Sequence, residues 1–120
     1  MSKANVEDYI PKTLEVLDAK YASSISSTFV GYISAFGVSL VQIGLLPTVA
    51  LYEKEERREI NELVLQILAP DTNNALSLLE YILSRPESEY TTLQEELKDI
   101  AVALKLCMRT LKLNKGGENE

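Results

Sequence analysis

Residues 21–52 carry no charged side chain, and this run constrains the fold more than any other part of the chain. It is long enough to cross a bilayer at about 20 residues per span. Ser34, Ser39, Gln42, three glycines and Pro47 interrupt it, so no window of that size reaches the continuous apolarity of a membrane helix. A helix buried on most sides of a water-soluble bundle is the expected outcome. Phe29, Val30, Ile33, Phe36, Leu40, Val41 and Ile43 give it large apolar side chains. Ser27, Gly31, Ala35 and Ser39 recur every four residues and form a narrow stripe of small side chains, where a second helix backbone can approach closely. Packing within the chain is the expected use of that stripe, and Gly31, Ala35 and Ser39 are also candidates for a contact with another subunit.

Elsewhere apolar residues recur at three- and four-residue spacing, with no sustained alternation of the kind that marks strands. The fold class read from this is all-α, a single compact bundle of about five helices, over residues 1–113, with a flexible polar tail at 114–120. The first helix is expected over about 3–22, kinked or restarted at Pro11, with Leu14, Leu17 and Tyr21 on its apolar stripe. Hydroxyls at Ser23, Ser24, Ser26, Ser27 and Thr28 mark the next boundary. The second helix is expected from about Ser27 to Ile43, ended by Gly44. A third should run from Pro47 to about Ala69, ahead of Pro70. A fourth should start near Asp71 or Thr72 and bury Leu76, Leu79, Ile82 and Leu83 before Pro86. Thr92 and Glu95 have capping-box spacing and place the start of the fifth, which should end near Leu113.

The chemistry that is missing narrows the function. The 120 residues include no histidine, which removes the commonest general acid/base and the commonest metal ligand. Helical di-metal sites pair glutamates with histidine, so the Glu53–Glu62 and Glu95–Asp99 clusters are expected to be solvated faces rather than metal sites. The lone Cys107 lies among Leu104, Leu106, Met108 and Leu111, where a thiol packs as a small apolar group. No glycine-rich phosphate loop is present. No catalytic residue is nominated, and no cofactor, metal, small-molecule substrate or membrane is expected. One cysteine and no basic-then-apolar leader lead to an expected cytoplasmic location.

The charge is strongly segregated. The chain carries a formal −6, yet residues 100–117 contain no acid while Lys105, Arg109, Lys112 and Lys115 give +4, which leaves residues 1–99 at −8. At about 100° per residue Lys98, Lys105, Arg109 and Lys112 fall within about 60° of one another, a cationic stripe roughly 21 Å long. The core face of the same helix is expected at Leu93, Leu97, Ile100, Leu104, Met108 and Leu111. Val102, Leu106 and Leu113 flank the stripe, exceed the needs of one core face, and suggest a second buried contact inside the bundle or with a partner. The stripe is the candidate nucleic-acid-binding surface. The bland account of the same cations is a favourable meeting with the helix C-terminal dipole, about 0.3–1 kcal/mol each, from which Lys98 lies too far.

The run Phe29-Val30-Gly31-Tyr32 through Gln42-Ile43-Gly44-Leu45-Leu46-Pro47-Thr48-Val49-Ala50-Leu51-Tyr52, and Tyr90 followed by a final helix ending Leu104-Lys105-Leu106-Cys107-Met108-Arg109-Thr110-Leu111-Lys112, resemble the small all-helical subunit of type III-B CRISPR effector complexes, the Cmr small subunit family. Members of that family often carry a tryptophan in the last helix, where this chain has none. The resemblance implies a non-catalytic subunit, present in several copies along a filament of backbone subunits, that supports guide–target RNA binding in antiviral defence. Its implied partners are the backbone subunit, the large subunit, further copies of itself, and guide and target RNA within the assembled complex. The alternative is a helical protein–protein interaction adaptor with no nucleic-acid role.

Overall fold

In a computed structural model of the protein, residues 3–20, 27–70 and 76–119 are described, with side-chain surroundings for 6–18, 28–70 and 76–109. Among the described residues there are six α-helices and no strand. They are α1 (Lys3–Lys20), α2 (Ser27–Gln42), α3 (Leu45–Leu51), α4 (Arg58–Leu68), α5 (Leu78–Leu83) and α6 (Tyr90–Asn119). Single 3-10 turns at Glu55–Arg57 and Glu87–Glu89 lead into α4 and α6. The all-α bundle expected from apolar spacing is the observed architecture.

Helix α6 is the wall against which α1, α2 and α4 pack, while α1 also meets α4 and the short α3 meets α2 and α5. Leu93, Leu97, Ile100, Leu104 and Met108 are all buried, as their spacing requires. Leu111 lies outside the described side chains. A second face of α6, Asp99, Ala103 and Cys107, is buried as well, with Cys107 Sγ 4.0 Å from the Ile10 carbonyl oxygen on α1. From α2, Phe29, Ile33, Phe36 and Leu40 enter the core at helical spacing. Phe36 meets Tyr52 edge-on, with ring centroids 5.0 Å apart and planes at 75°, and the Tyr52 hydroxyl donates to the Tyr32 carbonyl at 2.9 Å.

Several expectations are corrected. Helix α1 runs through Pro11 without a restart, and Leu14 is exposed while Thr13 and Leu17 are buried. Tyr21, Ser23, Ser24 and Ser26 lie outside the described residues. The helix expected from Pro47 to Ala69 is two helices. Glu55 adopts φ 52, a left-handed conformation that breaks the backbone path, and Lys54 before it is extended. Side chains then take the carbonyls freed at the break. Arg58 Nε donates to the Glu53 carbonyl at 3.1 Å, and Asn61 Nδ2 donates to the Val49 carbonyl at 3.0 Å and to Glu53 Oε2 at 2.7 Å.

Asp71 and Thr72 also lie outside the described residues, and α5 begins at Leu78. Its cap is Ser77, whose hydroxyl accepts from the Glu80 amide at 3.1 Å while the Ser77 amide donates to Glu80 Oε1 at 2.9 Å. The capping box is therefore here and not at Thr92. A 3-10 turn after the extended Pro86 starts α6 earlier, at Tyr90. In α5, Leu78 and Ile82 are buried, Leu79 is half-buried against the core and Leu83 is exposed, and Leu76, ahead of the helix, is exposed as well. Six residues make fewer than two turns, too short to bury four leucine or isoleucine positions at once. Gly44, with φ 95, ends the α2 run as expected. Helix α6 continues past Leu113 to Asn119.

Candidate functional site

The cationic stripe lies on the outward side of α6, and its members differ in their surroundings. Lys98 is only 27% exposed, and its Nζ lies 3.2 Å from Glu95 Oε2 one turn earlier. Lys105 and Arg109 are exposed, and the side chain of Lys112 lies outside the described residues. The Lys98–Glu95 pair is partly buried, which leaves Lys105 and Arg109 as the cations open to an outside anion. Because α6 extends to Asn119 and carries no basic residue in its last turn, Lys105 and Arg109 stand beyond reach of the helix end. The C-terminal dipole, whose influence fades within one turn, does not account for them.

The other side of α6 has the opposite character. Asp99 is 2% exposed, with Oδ1 lacking a hydrogen-bond partner among the described residues, and burial raises its pKa, reinforced by Glu95 and opposed by Lys98. Burial also raises Glu96, with Asp99 and Glu89 adding to the effect, and raises the Tyr9 hydroxyl, with Glu96, Asp99 and Asp8 adding to it. The helix thus separates a carboxylate-rich seam facing α1 from cations facing outward. No group of three or more metal-ligating side chains occurs among the described residues.

Between α2 and α6 lies a groove of about 410 Å³. Val38, Val41 and Gly37 line it from α2, and Ala101 and Val102 from α6, with Lys98 and Lys105 on its border. Two lysines and no acid line it, in a chain with 18 acids. The helices run antiparallel here, because Gln94 Nε2 donates to the Leu40 carbonyl at 2.8 Å while Gly37 faces Ala101. A second concavity of about 440 Å³ between α4 and α5 is bordered by Glu53, Arg58, Glu62 and Glu80, a set whose balance of charge suits no polyanion.

Three readings of the sequence are corrected by this geometry. Helix α2 is not buried on most sides, since Val38, Val41 and Ile43 are 53%, 66% and 51% exposed. Gly31 and Ala35 are exposed, and nothing lies within 4 Å of a β-carbon placed on Gly31, so the small-residue stripe does not pack inside the chain. Ser39 is half-buried. The glycine that does meet another helix is Gly37, one position class away from the stripe. Val102 and Leu106 are 39% and 46% exposed and make no second buried face, a role taken by Ala103 and Cys107. Leu113 lies outside the described side chains. Val38 and Val41, which line the groove, are not among the interface residues that the sequence singles out. The signal was present: Phe29, Ile33, Phe36 and Leu40 already complete one helical core stripe, which leaves Val38 and Val41 outside it.

No helix among the described residues is long and apolar enough to cross a membrane. Comparison with protein-family models, curated proteins and solved structures found no match.

Proposed function

We propose that this chain is a non-catalytic small subunit of an RNA-guided type III-B CRISPR effector complex, stacked in several copies along the backbone filament and supporting guide–target RNA binding in the cytoplasm. The resemblance of residues 29–52 and 90–112 motivates the reading. The observation that carries it is the outward face of α6 over residues 100–117, a stretch without acids, where Lys105 and Arg109 stand exposed on one side of a helix and away from its end. Phosphates spaced along a strand suit such a ladder of cations, and the contacts would be backbone contacts that position RNA without reading its sequence. Four of them give a salt slope of about −3 on single-stranded nucleic acid, so one copy binds weakly and several linked copies bind well.

The test is charge reversal at Lys105, Arg109 and Lys112 in a complex reconstituted with the backbone and large subunits. Protection of target RNA from nuclease should fall while the thermal midpoint of the isolated subunit stays put. Undiminished protection would refute the reading.

A second reading, a helical protein-interaction module without RNA, is favoured by the α2/α6 groove. Its floor is apolar and open, which is the anatomy of a protein contact rather than of a phosphate track. Pull-downs that survive nuclease treatment and contain no RNA support it.

A further inference from the structure

We infer that the α2/α6 groove is a docking site for an amphipathic helix of another protein, one that carries acidic residues on the flanks of its apolar face. The floor is made by Val38 and Val41 of α2 and Val102 of α6, all exposed, with Gly37 and Ala101 lining it where the two helices cross. Exposed β-branched side chains gathered on two neighbouring helices are an unpartnered apolar patch rather than scattered surface residues. Two antiparallel helices with a trough between them receive a third helix through anchors at three- and four-residue spacing.

Charge decides what kind of helix fits. Lys98 and Lys105 border the groove seven residues apart, two helical turns or about 10.5 Å along α6. The groove lining contains no carboxylate, although residues 1–99 carry a net −8. A partner helix with carboxylates one heptad apart, beside two apolar anchors, would place an acid against each lysine. Lys98 is already held by Glu95 in a partly buried pair, so the exposed Lys105 is the cation that selects an acidic partner. A basic partner would meet the exposed Lys105 with no acid in the lining to balance it, Lys98 being paired with Glu95. The occupant presupposes only that the chain works by holding another protein, and is independent of whether α6 meets RNA.

The test is a displayed library of fifteen-residue helices with leucines fixed on one face and Glu, Gln or Lys varied on its flanks, selected on the full chain. Glu-flanked members should be enriched, and their affinity should fall about tenfold or more with either Val41→Glu or Lys105→Glu, with salt dependence lost in the latter. Val41 is 66% exposed, so its substitution leaves the fold intact, which the thermal midpoint verifies. Arg109→Glu combined with Lys112→Glu should leave helix binding unchanged while reducing any RNA binding, which separates this site from the RNA reading. Enrichment of Lys-flanked members, or no enrichment over the Val41→Glu chain, overturns the inference. So does a dimer in sedimentation that Val41→Glu dissolves, which assigns the groove to a second copy. Loss of oligoribonucleotide binding in Val41→Glu overturns it in favour of RNA.

Discussion

A β-carbon placed on Gly37 of α2 lies 3.6 Å from the β-carbon of Ala101 on α6, the separation of an ordinary contact. The two helices are therefore close but not in backbone contact, and the glycine is not required sterically. Its φ is not in the left-handed region either.

Gly37→Ala should for that reason stabilise the protein. A helix-interior glycine is less favourable than alanine by about 0.5–1 kcal/mol, and the added methyl gains a contact. A rise of roughly 2–6 °C in thermal midpoint is expected at this chain length. A fall would mean that α2 and α6 have no slack at this crossing.

Asn61 joins the two halves of the broken helix, through donors to the Val49 carbonyl and to Glu53. Asn61→Ala leaves both acceptors without this donor and opens space at a buried position, a loss of about 1–3 kcal/mol. Urea titration should show a lower midpoint with an unchanged slope. A slope that changes as well would point to altered compactness in the unfolded or folded chain.

The pH dependence should carry the signature of Asp99. Its pKa in the folded protein is raised above the ordinary 3.8, so the folded state holds a proton that the unfolded chain has lost. This contribution is greatest below 3.8 and is lost as pH climbs through the raised value. Glu96 acts in the same direction from an ordinary 4.5. Relative to the natural chain, Asp99→Asn should therefore gain stability as pH rises from 3.8 through the raised value, as measured by thermal midpoints at each pH. A constant difference across that range would remove Asp99 from the account.

Cys107 is 3% exposed, and burial raises its pKa. A thiol held in its protonated form and out of solvent is a poor nucleophile. Labelling by a disulfide reagent at neutral pH should be slow in the native protein, tracking opening of the α1/α6 seam, and immediate in denaturant. Equally fast labelling in both would place the thiol at the surface.

Sequence patterning revealed the long final helix, with its buried Leu93–Met108 face and the outward Lys98, Lys105 and Arg109, because a single periodicity governs residues 93–109, but not its continuation from Asn114 to Asn119, where no apolar residue marks a face. It could not reveal the break at Glu55. A residue with a carboxylate side chain in the left-handed region carries no local signal, and the hydrogen bonds from Arg58 and Asn61 that stabilise it come from the next helix. Nor could apolarity alone distinguish Val38 and Val41, which face outward, from Ile33 and Leu40, which face inward. Only the phase of the core stripe separates them, and that phase is fixed by which side α6 occupies.

Because α6 closes the core, the order in which the ribosome delivers the chain matters. Phe36, Leu40, Ile60 and Leu63 have all emerged before the helix that covers them exists. Until residues 90–108 leave the exit tunnel, the earlier helices have no complete surface to condense on, and folding must finish late, in one step. A message stalled before that point yields sticky, protease-sensitive fragments rather than a smaller working protein.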